Sequence, residues 1–359
     1  MTLKFASFNV ENLFDRPKIF LMGEFEEGDR KLATIRRLQA LIVKRSYSAD
    51  DKKKMVSAYR DVKDCVEIVE SHGKLMNRAK TKVTASGRGG WFGFLKLRRR
   101  KFNDTAVKNT AKVIKAVNPD ICCLVEVEDR VILDRFCAER LKWTKNRRKQ
   151  HYGYNMLIDG NDRRCIDVGL ISKLPIGTVR SHIDDATNGR AIFSRDCPEM
   201  EVKLADGRPL WVLLNHLKSK GYGSQATSDA RRKKQASQIR KILPNHDLAR
   251  DLVIVAGDLN DTPGSAPLKP LTGLNNLHDV LSGLPAADCW TYHYRRNEEI
   301  DYVLVSTPFQ QAMTDSGVFR RGIHKLARYS NSNETQFPSL TSAANSASDH
   351  GCVWAEFDI

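Results

Sequence analysis

Six short segments carry Asp, Glu, Asn or His at or just beyond the end of an apolar, strand-like run: FNVEN (Phe8–Asn12), LVEVED (Leu124–Asp129), NHLKS (Asn215–Ser219), AGDLND (Ala256–Asp261), IDYV (Ile300–Val303) and SDHG (Ser348–Gly351). Side chains leaving the ends of adjacent strands can converge on one rim of a sheet, whereas those in mid-strand cannot. Taken alone, each segment has an ordinary explanation. A Gly-Asp or Asn-Asp pair after a strand commonly makes a turn or a helix cap, and a lone histidine such as His350 is commonly a satisfied core residue. Glu126 is harder to explain away, because a carboxylate between Val125 and Val127 in an apolar run needs a cation or a proton. The six segments together point to one site of carboxylate, amide and imidazole chemistry.

The elements that would position such a site alternate between strands and helices. Strand patterns cover Lys4–Val10, Ile121–Val127, Asp167–Ile171, Leu210–Leu214, Leu252–Ala256, Ile300–Val305 and Val353–Phe357, and a helix covers Thr105–Val117 before Asn118-Pro119. Many short strands with few long helices imply two packed sheets with helices outside. No internal repeat is visible. The chain has no P-loop, no G-x-G-x-x-G after a strand, no H-E-x-x-H and no G-x-S-x-G, so neither nucleotide-dependent nor serine-hydrolase chemistry is supported. Its eight cysteines include adjacent Cys122 and Cys123 but no C-x-x-C pair, which argues against a disulfide scaffold or a cysteine zinc site. We read the compartment as reducing and the location as cytoplasmic. No apolar run approaches the ~18 residues of a membrane span, and MTLKFASFNVENLF enters a strand pattern too soon for a signal peptide.

Charge is distributed unevenly. The 359 residues carry 59 Lys/Arg against 43 Asp/Glu, a net +16, and residues 16–104 alone contribute +12 of it. Lys74 to Lys101 holds ten basic residues and no acidic one; smaller concentrations lie at Arg140–Lys149 and Arg231–Lys234. The same region reads as two amphipathic helices. One carries Leu32, Ile35, Leu38 and Ile42 after Gly28-Asp29. The other carries Met55, Tyr59, Val62, Val66 and Val69 between Ser48-Ala49-Asp50 and His72-Gly73. A Gly/aromatic/basic stretch, Ser86–Lys101, follows. The expected organisation is therefore a catalytic domain of residues 1–15 plus 105–359, interrupted by a basic insertion of residues 16–104.

The order and wording of the six segments resemble the endonuclease/exonuclease/phosphatase superfamily, whose members include deoxyribonucleases, abasic-site endonucleases, inositol-polyphosphate phosphatases and sphingomyelinases. Softer stretches, LIDGNDRRCIDVGLIS (Leu157–Ser172), FSRD (Phe193–Asp196) and HLKSKGYG (His216–Gly223), resemble its bacterial branch, which departs from this chain at Cys165, where Gly is expected. The resemblance implies an α/β (α+β) fold: a four-layer sandwich of two packed mixed β-sheets flanked by helices, with a largely helical insertion after the first strand. It implies hydrolysis of a phosphodiester with Mg²⁺, or Mn²⁺ in its place. In that scheme Glu126 is the main metal ligand, and Asn9, Glu11 and Asp349 are ligands or supports, although Glu11 is usually a shorter or polar residue in related families. His350 pairs with Asp301, while Asp258 and Asn260 orient the attacking water and a phosphate oxygen. His216 contacts a phosphate oxygen or the leaving group. The general base is left open between Asp258 and His350. Arg195, Lys218 and Arg164 are candidate phosphate contacts.

The core points to a reaction more firmly than to a substrate. A polyanion rewards many Lys/Arg through counterion release, so the basic insertion favours nucleic acid, with DNA as the expected partner. Arg98, Arg99 and Arg100 would track the backbone, and Trp91, with Phe92 and Phe94, would stack on bases. Two alternatives keep different parts of this reading. One is a phosphatase or sphingomyelinase-like phospholipase whose insertion binds an anionic membrane surface. The other is a nucleic-acid-binding module with an inactive site.

Overall fold

The computed structural model describes residues 2–13, 25–98, 104–142, 152–221, 223–293, 295–329 and 334–359. The chain divides into two compact units, Met1–Phe14 with Asn103–Ile359, and Asp15–Phe102. The larger unit is built on two six-stranded sheets. One runs β17 (Met313–Phe319), β18 (Cys352–Asp358), β1 (Thr2–Leu13), β4 (Ile121–Val127), β6 (Asp167–Ser172), β5 (Tyr154–Leu157). The other runs β13 (Leu277–Asp279), β16 (Asp301–Ser306), β12 (Leu252–Asp258), β11 (Pro209–His216), β10 (Glu199–Lys203), β7 (Ile176–Arg180). Each sheet has a parallel pair at its centre, β1 with β4 and β11 with β12, and antiparallel neighbours outside it. Two-residue strands β8 (Ala186–Thr187) with β9 (Arg190–Ala191), and β14 (Tyr292–His293) with β15 (Asn297–Glu298), form small separate hairpins.

Alternation along the strands explains the layering. In β1 and β4, Leu3, Phe5, Ile121, Cys123 and Val125 meet Val212, Leu214, Ile254 and Val303 of the other sheet in one buried cluster. Their neighbours Ala6, Phe8, Cys122 and Leu124 face the opposite way, onto α3 (Asp104–Val117) and α4 (Arg130–Arg140). On the far face of the second sheet, Leu213, Val253, Val255 and Leu304 pack on α5 (Gln225–Ile242) and α6 (Lys269–Thr272) through Ala236, Ile239 and Leu271. The order of layers is helix, sheet, sheet, helix, with α7 (Thr307–Ala312) following β16. Strands buried on both faces need near-continuous apolar runs, which is what ICCLV and LVIVA supply.

The smaller unit contains α1 (Phe25–Ile42), α2 (Ala49–Val62) and an antiparallel hairpin of β2 (Val66–Gly73) with β3 (Trp91–Leu97). Helix α1 begins ahead of the Gly28-Asp29 pair that the sequence suggests as its start, with Glu26 and Glu27 in its first turn complementing the helix dipole. A capping box starts α2: the Asp51 amide donates to Ser48 Oγ at 3.0 Å and the Ser48 amide to Asp51 Oδ2 at 3.1 Å. The helical spacing read on to Val69 is wrong beyond Val62. The β-branched Val66, Ile68 and Val69 take a strand, because pairing with β3 buries Val66 and part of Ile68 against the same helices. The insertion therefore keeps two helices, of 18 and 14 residues, and adds a hairpin of strands of 8 and 7 residues. Among the described residues, no helix is long and apolar enough to cross a membrane.

Candidate active site

The parallel central pairs set the site. Strands β1 and β4 end at one rim of the first sheet, β11 and β12 end at one rim of the second, and β16 starts there, with Asp301 directly opposite Asp258 in the ladder. The segment preceding β18 brings Asp349 and His350 to the same rim. A hydrogen bond spans the sandwich: Asn9 Nδ2 on β1 donates to Asp258 Oδ2 on β12 at 3.1 Å. Asp258 Oδ1 accepts from the Asn260 amide at 2.8 Å, and His216 Nε2 lies 3.7 Å from Asp258 Oδ2. Ser348 Oγ donates to the Asn9 carbonyl at 2.7 Å and accepts from the His350 amide at 2.9 Å, fastening this segment to β1. All nine residues expected to be catalytic or metal-binding are thus gathered within one unit.

Two strand irregularities aim the glutamates. Glu126 has φ 68° and Glu11 φ 42°, both left-handed, and pairing registers shift between Val125 and Val127 and between Asn9 and Leu13. A bulge inserts a residue and resets the alternation. Val127 accordingly joins the helix-facing cluster that Leu124 occupies, although a regular strand would turn it toward the other sheet. Glu126 is extruded from the ladder by this shift. Asn260 is also left-handed, with φ 56°, and turns the chain sharply after β12.

Electrostatics separates the groups into two roles. Burial pushes Glu126 up, helped by Asp349 and opposed by His350, Arg195 and Asn9. Partial desolvation, then Asp349, pushes Glu11 up to about 7; Glu126 adds to the rise and His350 opposes it. Glu126 and Glu11 thus each feel the charge of Asp349, and their oxygens with the Asn9 amide are of the hard kind that could hold Mg²⁺ or Mn²⁺. His350 behaves differently. Burial alone would lower it, but Asp301, Asp349 and Asp258 hold it well above the ordinary imidazole range, and its Nδ1 lies 2.7 Å from Asp301 Oδ2. Ligand atoms of Asp258, Asp301 and His350 lie within 4.8 Å of one another. These three are the one His/Cys/Asp/Glu group among the described residues close enough together to hold a metal ion, with His350 Nδ1 already engaged by Asp301. Asp258 is pushed up to about 7 by burial and then by Asp301. His216, fully enclosed, is driven well below the ordinary range by burial and then by Arg195 and His350, and stays neutral.

The expected phosphate contacts divide. Arg195 is 3% exposed, its Nε 3.1 Å from Asp162 Oδ2, and burial and then Asp162 are the leading influences on it. Arg164 pairs with the same carboxylate at 2.8 Å, and Lys218 Nζ donates to the Ser219 and Gly221 carbonyls. Trp91 is a correction. It is 3% exposed in the core of the smaller unit, donating from Nε1 to Tyr47 Oη at 2.9 Å, so it anchors the hairpin and is not free to stack on a base. Phe92 and Phe94, on the opposite face of β3, are 66% and 57% exposed. Arg98 donates from Nε to the Val66 carbonyl at 2.8 Å, bracing β2; Arg99 and Arg100 lie outside the described residues.

Sequence reasoning missed three contributors. The ring of Tyr292 packs 4.7 Å from that of His350. Thr291 Oγ1 accepts from the Asp301 amide at 3.1 Å. Arg232, in the RRKK cluster, is wholly buried, with its Nε donating to Asp261 Oδ2 at 3.0 Å. Neither Tyr292 nor Thr291 sits at the end of an apolar run, and Arg232 is concealed among solvated lysines.

A family model described as Endonuclease/Exonuclease/phosphatase family matches residues 89–350. No curated protein matches. Among solved structures, the endonuclease/exonuclease/phosphatase from Bacteroides vulgatus is similar over 100% of this chain and 99% of its own, at 11% identity and a TM-score of 0.52. Truncated Caenorhabditis elegans TDP2 is similar over 71% of this chain and 91% of its own, at 17% identity and a TM-score of 0.48. D. rerio TDP2 complexed with single strand DNA product is similar over 72% of this chain and 94% of its own, at 13% identity and a TM-score of 0.49. The Bacteroides likeness shows a shared fold.

Proposed function

This chain belongs to the endonuclease/exonuclease/phosphatase family, and we propose that it is a divalent-metal-dependent nuclease hydrolysing phosphodiester bonds of DNA. The observation that carries the reading is the pairing, at one rim, of an Asp301-bound His350 with the crowded carboxylates Glu126, Glu11 and Asp349. When bound, Mg²⁺ would neutralise phosphate charge and polarise the phosphoryl oxygen, held by Glu126 with Asn9, Glu11 and Asp349. Asp301 keeps His350 protonated and fixes its ring, leaving Nε2 to donate a hydrogen bond to a phosphate oxygen. Asp258 and Asn260 orient the attacking water, and the raised basicity of Asp258 suits it to take the water's proton near neutral pH. Neutral His216, beside Asp258, is the donor nearest the leaving oxygen in this scheme.

DNA rather than a small phosphoester is supported by the insertion's charge, +12 of the chain's +16. Phe92, Phe94, Lys96 and Arg98 line one exposed face of β3, an alternation suited to stacking and backbone contact. That face also favours a second reading, attachment to an anionic membrane with phospholipid hydrolysis, which the same experiment addresses. Supercoiled plasmid, single-stranded DNA and sphingomyelin vesicles are incubated with Mg²⁺ or Mn²⁺. DNA should be cleaved, chelator should stop cleavage, and Glu126→Ala or His350→Ala should slow it by on the order of 10²–10⁴. Intact DNA with vesicle turnover would overturn the nuclease reading.

A further inference from the structure

Beside the catalytic rim, the fold brings together five cationic side chains, Arg163, Arg164, Arg195, Lys218 and Arg231, from four separate stretches of sequence, around a cleft of about 440 Å³. We propose that this cleft binds a second phosphate group of the substrate, next to the one being cleaved, so that the enzyme selects substrates carrying at least two phosphates. This rests on the phosphodiesterase reading and narrows it, since a lone diester such as sphingomyelin has nothing to place there.

Geometry ties the cleft to the reacting centre. The Leu217 carbonyl accepts from Arg195 Nη1 at 3.3 Å on the cleft side and from Asn260 Nδ2 at 3.2 Å on the catalytic side, so a single peptide separates the two. The cleft's one carboxylate, Asp162, is already occupied by Arg164 and Arg195, holding two guanidinium groups side by side. Arg163 and Arg231 are exposed and have no ion pair among the described residues. Burial, followed by Arg195, Arg232, Arg164 and Arg231, pushes the Lys218 ammonium down, the mark of a group crowded by like charge. Crowded cations of this kind are relieved by an anion, and the forked guanidinium matches phosphate oxygens bidentately. The volume is many times the ~30 Å³ share of a single water and accommodates a phosphate with part of the sugar it carries.

The test measures binding before turnover. Thymidine 3′,5′-bisphosphate and thymidine 5′-monophosphate are titrated calorimetrically into the full chain in the presence of chelator. The bisphosphate should bind on the order of tenfold tighter or more, and Arg163→Gln/Arg231→Gln should remove that preference. Arg231→Lys should restore part of it if the double variant is well folded by its thermal midpoint, and it serves as the test variant if the double variant is not. Equal affinities in the parent protein, or a preference untouched by the substitutions, would overturn the proposal. Turnover of d(TpT), 5′-phosphorylated d(TpT) and d(TpTpT) then tells whether the second phosphate is a terminal monoester or an internal diester. A bisphosphate preference with no cleavage of any of them would refute the nuclease reading while leaving the anion cleft in place.

Discussion

Three of the candidate site residues, Glu11, Glu126 and Asn260, lie in left-handed backbone, a conformation that costs a non-glycine residue about 1–2 kcal/mol. At the rim the bulges aim carboxylates that a regular strand would bury. Cys165 bears the same cost, with φ 51°, at an exposed position away from the rim bulges. Cys165→Gly should therefore raise stability by about 1 kcal/mol, read as a higher urea midpoint; an unchanged or lower midpoint would show that the turn is not strained. The sequence already flagged this position as one where Gly was expected. It also singled out the candidate site residues that the fold places in one unit, because their types and spacing follow from chemistry that any such site requires. Burial of Trp91 and Arg232 was not legible, since nothing local distinguishes an aromatic that fills a core from one that faces solvent, or one buried arginine in a run of basic residues.

Strand β12 shows how an element is constrained by its neighbour. Gly257 has φ 133°, and a Cβ built there would stand 1.9 Å from the Asn215 carbonyl oxygen of β11. Gly257→Ala should destabilise the protein by about 3 kcal/mol or more and displace Asp258, visible as a lowered thermal midpoint together with lost turnover; a stable, active variant would show that β11 can yield. Strand β10 carries a pH-dependent fastening. Glu199, fully buried, accepts from His182 Nε2 at 2.9 Å and His246 Nε2 at 2.7 Å. Burial would raise its carboxyl, yet the two imidazoles hold it at about 2, while Glu199 raises His182 above its ordinary value. The Glu199 contribution is present above the ordinary carboxyl value near 4.5 and is lost as pH falls toward 2. The His182 contribution is complete below 6.5 and is lost as pH rises through its raised value. Glu199→Gln should remove on the order of 2–3 kcal/mol near pH 5–6 and flatten both limbs of a stability profile measured by chemical denaturation; a parallel profile would refute the coupling. Most strands were legible from their apolar runs, with Ile121–Val127 matched at both ends. Helix α5 was not, because its buried face includes Ser228, Arg232 and Gln235 and so lacks an apolar stripe.

For the whole molecule, the insertion is a folded unit with its own core, set in the crossover that joins two neighbouring parallel strands. Replacing residues 16–104 by a short linker should weaken DNA binding and reduce the slope of affinity against salt, by about 0.7–0.9 for each phosphate no longer neutralised, while a small diester is still hydrolysed. An unchanged slope would assign the insertion to a protein partner or to regulation. Composition sets residues 16–104 apart, because 23 of them are Lys or Arg against 11 acidic ones; the hairpin was hidden because Val66 and Val69 fit the helical spacing as well as a strand. Strand β1 has a further consequence. It is flanked by β4 on one side and by β18 on the other, so its sheet stays open until residues 352–358 have been synthesised, and Asp349 with His350 is delivered by that same late segment. A growing chain on the ribosome therefore already displays its basic insertion, and holds Glu11, Glu126 and Asp258, while still lacking Asp349 and His350. Under the nuclease proposal, the order of translation would itself serve as a safety catch.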